Sequence, residues 1–143
     1  MIHQHPRVLL GMKKRGFGKG RYNGFGGKVK EGETVEDAVR REVSEEVGIN
    51  CPIVDLRGII EFSWKNKPEV LEVHIFKAEE FEGEPVESEE MKPEWFHVDK
   101  IPYDTMWSDD PHWIPLFLEN KKFKGNFVFD DSDKVINYKL KEL

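Results

Sequence analysis

The feature that most restricts the fold of this chain is a run of apolar residues at helical spacing between residues 35 and 47. They are Val35, Ala38, Val39, Val43 and Val47. This spacing predicts an α-helix with one buried side. Thr34 before the run, with Asp37 three residues further on, is typical of a helix start, and Gly48 is typical of a helix end.

Three glutamates lie at the edge of the buried side of this predicted helix. Glu42, Glu45 and Glu46 fall within an arc of about 100° on the helical wheel. Carboxylates at this spacing repel by about 0.2–0.5 kcal/mol per pair, so three of them beside a core need a counter-charge. Divalent metal ions such as Mg²⁺ prefer oxygen ligands. Arg41 is the fixed positive charge close enough in sequence to hold a carboxylate, and we expect it to pair with Glu33.

The segment before the helix is basic and rich in glycine. Eight of the twelve glycines lie within residues 1–32, and residues 1–30 carry a charge of +8, whereas the rest of the chain carries −14. Glycine permits close approach of the backbone to a ligand. A basic segment on an acidic body suits a small polyanion bridged by a metal ion; a basic loop that is merely solvated is the alternative. Nucleic-acid-binding proteins are more often basic overall, so we expect no nucleic-acid partner.

The remaining pattern predicts an α+β fold, because strands and helices do not alternate regularly. Strands are expected at residues 7–13, 53–64, 70–78, 95–98, 123–129 and 135–140. A second helix is expected from Asp110, as N-cap before Pro111, to about Lys122. A chain of 143 residues is expected to form one domain, residues 1–143.

The cysteine content and hydropathy indicate the cellular setting. Cys51 is the single cysteine, which excludes an internal disulfide framework and fits a reducing compartment. No apolar run approaches the roughly 18 residues of a membrane-spanning helix, and the N-terminal residues do not follow a signal-peptide pattern. We therefore expect a cytoplasmic protein without a membrane partner.

The segment from Gly27 to Ile49 resembles the Nudix box, Gly-x5-Glu-x7-Arg-Glu-apolar-x-Glu-Glu-x-Gly-apolar. All nine specified positions are filled, by Gly27, Glu33, Arg41, Glu42, Val43, Glu45, Glu46, Gly48 and Ile49. A match at fixed spacing is specific when it coincides with a predicted loop and helix. An ordinary amphipathic helix with a charged rim is the alternative.

Further segments are similar to the animal MutT homologues of the Nudix family, which hydrolyse 8-oxo-dGTP. They are residues 7–18, 23–29, 85–88 and 106–110. The resemblance implies the Nudix α/β/α sandwich, in which a mixed β-sheet is flanked by helices. These homologues have a longer, more apolar first strand than residues 1–6 allow, so either that strand is truncated here or the pocket is more open beside it.

The resemblance also implies a metal site and the catalytic residues. Mg²⁺, with Mn²⁺ as a substitute, would be bound by the Gly26 carbonyl and by Glu42, Glu45, Glu46 and Glu90. The catalytic set would be Glu33, Arg41, Glu42, Glu45 and Glu46. Either Glu45 or Glu46 would orient or deprotonate the attacking water. For Glu90, a solvated acidic loop shared with Glu87 and Glu89 is the alternative.

A purine pocket is the third implication of the resemblance. It would be lined by Asn23, Phe62, Trp64, Met91, Trp107, Asp109, Asp110 and Phe129, with Lys13 contacting phosphate or sugar. Flat aromatic walls offer stacking area, and the amide and carboxyl groups offer a polar edge. Because neighbouring buried carboxyls repel, we expect one of Asp109 and Asp110 to hold its proton. Helix capping by the aspartates and core packing of the aromatic rings are the alternatives.

The activity implied is Mg²⁺-dependent hydrolysis of oxidised purine nucleoside triphosphates, such as 8-oxo-dGTP and 2-hydroxy-dATP, to the monophosphate and pyrophosphate. This reaction sanitises the nucleotide pool. One alternative is a Nudix pyrophosphatase acting on a nucleotide sugar, a dinucleotide polyphosphate or a capped RNA end. Another is a non-catalytic nucleotide-binding module, which would be expected to lose glutamates that are all present in this box. The expected state is a monomer that binds a small nucleotide.

Overall fold

A computed structural model describes all 143 residues of the chain. Its elements are β1 (Ile2–Gln4), β2 (Arg7–Lys13), β3 (Tyr22–Asn23), α1 (Val35–Val47), β4 (Asp55–Trp64), β5 (Val70–Lys77), β6 (Met91–His97), α2 (Asp110–Leu118), β7 (Phe123–Phe129) and β8 (Val135–Glu142). Two single-turn 3-10 helices, Val98–Lys100 and Tyr103–Thr105, follow β6. The chain divides into a first unit, residues 1–55 with 76–105, and a second unit, residues 56–75 with 106–143.

The first unit is built around β2. This strand pairs antiparallel with β6 along its whole length on one side, and with β1 and then β3 on the other. Val8, Leu9 and Leu10 are consecutive apolar residues of β2 and all three are buried, so both faces of the strand are covered there. Leu9 shares a hydrophobic core with Val43 and Val47 of α1.

Helix α1 has the boundaries that the sequence predicts, and both of its ends are held by the expected residues. The Thr34 hydroxyl accepts a hydrogen bond from the Asp37 backbone N–H at 3.1 Å. Gly48 lies in the left-handed region with φ 73°, and its N–H donates to the Ser44 carbonyl. Glycine adopts this conformation without a Cβ clash, which stops the helix there. The predicted buried side is confirmed by Ala38, Val43 and Val47.

The second unit contains a mixed sheet in the order β5-β4-β7-β8. β4 and β7 run parallel, whereas β7 and β8 form the predicted antiparallel hairpin. Helix α2 packs against β8 and buries Trp113, Ile114 and Phe117. Gly58 in β4 is required by this packing, because a Cβ there would overlap the Phe123 ring.

The predicted α+β class, with a mixed sheet and two helices, is confirmed, but the strands form two four-stranded sheets instead of one. β1 and β3 are additional to the predicted strands, since elements of three and two residues are too short to show a period-2 pattern. Neither helix is long and apolar enough to cross a membrane.

The predicted cap and end of α2 are wrong. Asp110 is the first helical residue and Asp109 occupies the N-cap position, where its side chain makes no capping hydrogen bond. The helix ends at Leu118 and not near Lys122, because Asn120 adopts the left-handed conformation with φ 62°. Asparagine tolerates this region better than most residues. Capping therefore does not explain the two aspartates.

Candidate active site

Arg41 is the centre of the charged network on α1. Its Nε and Nη2 donate to the two carboxylate oxygens of Glu33, at 2.7 and 3.0 Å. Its Nη1 donates to Glu42 at 2.9 Å and to Glu45 at 3.3 Å. The predicted Arg41–Glu33 pair is thus confirmed as a forked ion pair, the geometry that a guanidinium makes best.

Glu33 connects this network to the loop that enters α1. One of its carboxylate oxygens also accepts a hydrogen bond from the Lys30 backbone N–H at 2.9 Å. The Arg41 hydrogen bond and then the Lys30 N–H lower the pKa of Glu33 to about 2. Glu33 therefore stays ionised at every physiological pH, and its ion pair holds Arg41 in contact with Glu42 and Glu45.

Glu46 has a different environment from the other glutamates of the helix. Its side chain is buried, with the residue 8% exposed. One carboxylate oxygen accepts a hydrogen bond from the Gly26 N–H at 3.2 Å, and the other is buried without a hydrogen-bond partner. Burial, with the Glu42 charge as a smaller cause, raises the pKa of Glu46 to about 7 despite the Gly26 N–H. A buried carboxylate with an unsatisfied oxygen is costly unless a cation pairs with it.

These donors fit a hard divalent cation. Glu42 and Glu46 are both oxygen donors on one side of α1, and Gly27 lies against the Glu42 carboxyl, where a Cβ would come within about 2.5 Å of its atoms. The carboxylates are not gathered into a ready-formed group of three. Arg41 holds Glu42 and Glu45, so a cation would take over contacts that the guanidinium now makes.

Glu90, the remaining predicted metal ligand, lies in the first unit just before β6. Arg15 donates to one of its carboxylate oxygens through Nε at 2.9 Å and through Nη2 at 2.6 Å. The negative charge of Glu90 contributes to the raised pKa of Glu46, after burial and after Glu42. Glu90 is therefore within electrostatic reach of the buried carboxyl.

Three predicted substrate-binding residues also lie in the first unit. Lys13 ends β2, and its positive charge acts on Glu46. Asn23 in β3 pairs with Gly11 and is half-buried, with its amide donating to the Arg21 carbonyl at 3.3 Å. Met91 is buried in the core, where Gly11 leaves room for its side chain. Lys13 and Asn23 are therefore accessible to a ligand, whereas Met91 serves packing in this structure.

The predicted aromatic residues come together in the second unit around Phe129. Phe62 and Trp64 stack on this ring with centroid distances of 5.8 and 5.7 Å, and Trp107 meets it edge-on at 6.0 Å. The parallel register of β4 and β7 places Phe62 beside Phe127 and Trp64 beside Phe129. Phe129 is fully buried, whereas the other three rings keep part of their surface exposed. They can therefore stack on a flat ligand.

Asp109 and Asp110 are both buried, at 4% and 7% exposure. The Trp113 indole N–H donates to Asp109 at 2.9 Å, and the two carboxyls share a hydrogen bond. Burial raises the pKa of both groups, and the Asp109 charge raises that of Asp110 further. Two ionised carboxyls at one buried site repel each other, so the raised pKa values favour a state in which one of the two keeps its proton. This agrees with the expectation of one protonated aspartate.

The segment that carries these aspartates is fixed to the turn between β7 and β8. The Val135 N–H donates to the Ser108 hydroxyl at 3.0 Å, and this hydroxyl lies 3.4 Å from the Asp133 carbonyl. Trp107, on one side of Ser108, and Asp109, on the other, are thereby held in place. Ordered side chains lose less entropy on binding a ligand.

Sequence reasoning missed two residues that support the predicted ones. Trp113 fixes Asp109 from one turn further along α2, and this i,i+4 spacing is a recognisable signal. Arg15 pairs with Glu90 across 75 positions of sequence. Its signal is weaker and consists of a basic pair, Lys14 and Arg15, matched by an acidic run at residues 87–90.

Replacing Arg41 with lysine is expected to lower turnover by about 10- to 100-fold, the range found when residues that orient metal ligands are changed. Lysine keeps the charge, but it cannot hold Glu33 in a fork and reach Glu42 and Glu45 at once. Steady-state kinetics would measure the loss. Arg40→Lys is the matched control, since Arg40 on the same helix pairs only with the exposed residues Glu36 and Asp37. Equal losses in both variants would contradict the role given to Arg41.

Known proteins resemble this chain over nearly its whole length. The oxidized purine nucleoside triphosphate hydrolase of Mus musculus is 52% identical over 143 residues, which are 100% of this chain and 92% of that protein. The protein of the same name from Danio rerio is 51% identical with the same coverage. A crystal structure of the mMutator MutT protein from Bacillus halodurans matches with a TM-score of 0.88 and 30% identity, covering 98% of this chain and 93% of that one.

The family comparison agrees with the geometry around Arg41. The family model described as the NUDIX domain matches residues 2–117, and this range contains α1 with its whole carboxylate network. The fold is likewise that of the MutT structure. The chain therefore belongs to the Nudix family.

Proposed function

We propose that this protein hydrolyses oxidised purine nucleoside triphosphates to the monophosphate and pyrophosphate. The observation that carries the proposal is the network on α1, in which Arg41 orders Glu33, Glu42 and Glu45 beside the buried, unsatisfied carboxyl of Glu46. Such a set of oxygen donors suits a metal-dependent reaction at phosphate. A sensing or binding module would not need an ordered and electrostatically costly arrangement of this kind.

The metal ion is proposed to be Mg²⁺, with Mn²⁺ as a substitute. The Gly26 carbonyl and Glu42, Glu45, Glu46 and Glu90 would hold it. A bound divalent cation supplies charge neutralisation at phosphate oxygens and lowers the pKa of a bound water. Arg41 keeps Glu42 and Glu45 on one side of the helix, and Lys13 adds a positive charge near Glu46 for the polyphosphate.

The base is proposed to be recognised by the second unit. Phe62, Trp64 and Trp107 offer partly exposed rings for stacking, and Asp109 and Asp110 together offer one donor and further acceptors. In the first unit, the Asn23 amide is proposed as a separate contact for the nucleotide. A carboxyl pair that shares a proton can match oxidised purines with different donor patterns, because the proton can sit on either group. The mouse and zebrafish relatives are named for this class of substrate.

The remaining features of the proposal concern the setting of the enzyme. We propose that residues 1–143 act as one Nudix domain and as a monomer, with a small nucleotide and no nucleic acid as partner. The net charge of −6 disfavours binding to a nucleic-acid backbone. Cys51 is a free, buried thiol, in keeping with a reducing compartment, and we propose the cytoplasm.

Pyrophosphate release in the presence of Mg²⁺ tests the proposal. The substrates to compare are 8-oxo-dGTP, dGTP, 2-hydroxy-dATP and ADP-ribose at low micromolar concentration. We expect kcat/KM for 8-oxo-dGTP to exceed that for dGTP by about tenfold or more, which corresponds to roughly 1.4 kcal/mol of added transition-state binding. Hydrolysis of ADP-ribose alone would keep the Nudix chemistry but refute the proposed base pocket. Absence of any hydrolysis would refute the enzyme assignment.

A further inference from the structure

Two surface loops of the first unit are tied together by ion pairs. We call them the arginine loop, residues 14–20, and the glutamate loop, residues 87–90. The arginine loop is closed at its base by two backbone hydrogen bonds, from the Lys13 N–H to the Arg21 carbonyl at 2.9 Å and from the Gly20 N–H to the Lys13 carbonyl at 2.8 Å. A third joins the loops directly, from the Lys14 N–H to the Glu90 carbonyl at 2.9 Å.

The side chains of Lys14 and Arg15 add to this backbone contact in different ways. Lys14 Nζ donates to the Ser88 carbonyl at 2.8 Å and pairs with the Glu87 carboxylate. Arg15 directs Nε and Nη2 to a single oxygen of Glu90 and lies 3.5 Å from Glu89. Lys14 therefore fixes the glutamate loop, whereas Arg15 pairs with the carboxylate of Glu90, which is a metal ligand in the proposed function.

The glutamate loop is itself ordered, so that Glu90 is presented in one position. The Ser88 hydroxyl accepts hydrogen bonds from the Glu90 and Met91 N–H groups, at 3.3 and 3.2 Å. Met91 is anchored in the core. Since the backbone at Glu90 is held on both sides, its carboxyl can change partner by side-chain rotation alone.

We propose that Arg15 is a positioning residue that competes with the divalent cation for Glu90. Without metal, the guanidinium offsets the negative charge of Glu90, which acts on the buried carboxyl of Glu46. On metal binding, Glu90 exchanges Arg15 for the cation. Arg15 is then released from Glu90, and its forked donors lie at the edge of a basic loop, where an anionic phosphate group can take the place of Glu90.

The exposure of the pair makes this exchange energetically easy. The side chains of Arg15 and Glu90 are 58% and 48% exposed, so solvent screens their attraction. Exposed ion pairs of this kind change an equilibrium by about 1.5- to 5-fold. An added carboxylate ligand can change the affinity for a divalent cation by more than this factor. The pair is therefore strong enough to orient Glu90 and weak enough to release it.

The test is the affinity of the nucleotide-free protein for Mn²⁺, measured by calorimetry or by electron paramagnetic resonance of free Mn²⁺. This inference rests on the proposed function, which makes Glu90 a metal ligand. We expect Glu90→Gln to weaken Mn²⁺ binding and Arg15→Ala to strengthen it by about 1.5- to 5-fold, because the competitor is gone. Arg15→Lys, which keeps the charge but not the fork, should lie between Arg15→Ala and the unchanged protein.

Two further variants separate competition from a general charge effect. Lys19→Ala removes one positive charge from the same loop without touching Glu90, and it should leave Mn²⁺ affinity nearly unchanged. In the double variant with Arg15→Ala and Glu90→Gln, the gain should disappear, and the affinity should equal that of Glu90→Gln alone.

The outcomes distinguish failure of this inference from failure of the proposed function. Unchanged or weaker Mn²⁺ binding in Arg15→Ala would overturn the competition, as would an equal gain in Lys19→Ala. If Glu90→Gln binds Mn²⁺ normally, Glu90 is not a ligand and the exchange does not occur, while pyrophosphate release by the same preparation would still support the enzyme assignment. A merely structural role for Arg15 predicts weaker binding on its removal, which is the opposite sign.

Discussion

Replacing Glu46 with glutamine is expected to reduce turnover by about 10³-fold, within the range for loss of a group that holds or moves a proton in the transition state. Glu46 is the one glutamate of the box that is buried, and its second oxygen has no partner in the protein. Glutamine keeps the shape and can still accept the Gly26 hydrogen bond, but it brings no charge to a cation. The measurement is kcat for 8-oxo-dGTP at saturating Mg²⁺.

The same substitution is expected to stabilise the metal-free protein at neutral pH. The pKa of Glu46 is raised from 4.5 to about 7 in the folded chain. Between these values the unfolded chain has lost the proton that the folded chain keeps, so the free energy of unfolding falls as pH rises from about 4.5 to about 7. Glutamine does not titrate, so the variant does not lose this stability. At about 1.4 kcal/mol per pKa unit, the loss avoided is on the order of 3 kcal/mol at most.

Chemical denaturation with a chelator present, at pH 4.5 and pH 7.5, would measure this difference. Glu45→Gln is the matched control, since Glu45 is more than half exposed and pairs only with Arg41; it should lose less activity and gain no stability. A Glu46→Gln protein that keeps its turnover would refute the catalytic role. One that is less stable than the unchanged protein at pH 7.5 would refute the description of Glu46 as a buried, unpaired charge.

Replacing Asp110 with alanine is expected to lower kcat/KM for 8-oxo-dGTP by about 10- to 100-fold. The ratio of kcat/KM for 8-oxo-dGTP to kcat/KM for dGTP should also become smaller. Removing one member of a buried hydrogen-bonded pair leaves the other unsatisfied, which costs about 1–3 kcal/mol. Asp109 would lose its carboxyl partner and keep the Trp113 indole and a hydrogen bond from its own backbone. Asp104→Ala, which removes an exposed aspartate from the first unit, is the control and should leave both values unchanged.

Nucleotide affinity is also expected to depend on pH through Asp110. Burial, and then the Asp109 charge, raises the pKa of Asp110 well above its ordinary value. We propose that the proton of this pair is the donor offered to the base, so nucleotide affinity should fall as pH rises through the raised pKa. Asp110→Asn keeps a donor that does not titrate, so its affinity should change less with pH. A steeper fall in the asparagine variant would contradict a protonated Asp110.

The helix and its charged rim were predictable because their determinants are local. The spacing of Val43 and Val47 sets the buried side of α1, and Thr34 and Gly48 set its ends. The Arg41–Glu33 pair was also predictable, since eight positions across a helix entrance bring complementary groups together. The Nudix motif names these same positions, so sequence and geometry agree there.

The remaining features depend on contacts between distant segments, which come together only in the folded chain. The Arg15–Glu90 pair exists because the antiparallel pairing of β2 with β6 brings Lys13 opposite Met91, and no local pattern contains that register. The burial of Asp109 and Asp110 likewise depends on how α2 packs. This burial raises the pKa of both groups, and Asp110, expected as the helix cap, is instead the first helical residue. The sequence alone predicted the helix, its charged rim and an aspartate pair with one proton. How deeply these groups are buried, and which distant residues they pair with, follow from helix packing and strand register, which arise only when the whole chain folds.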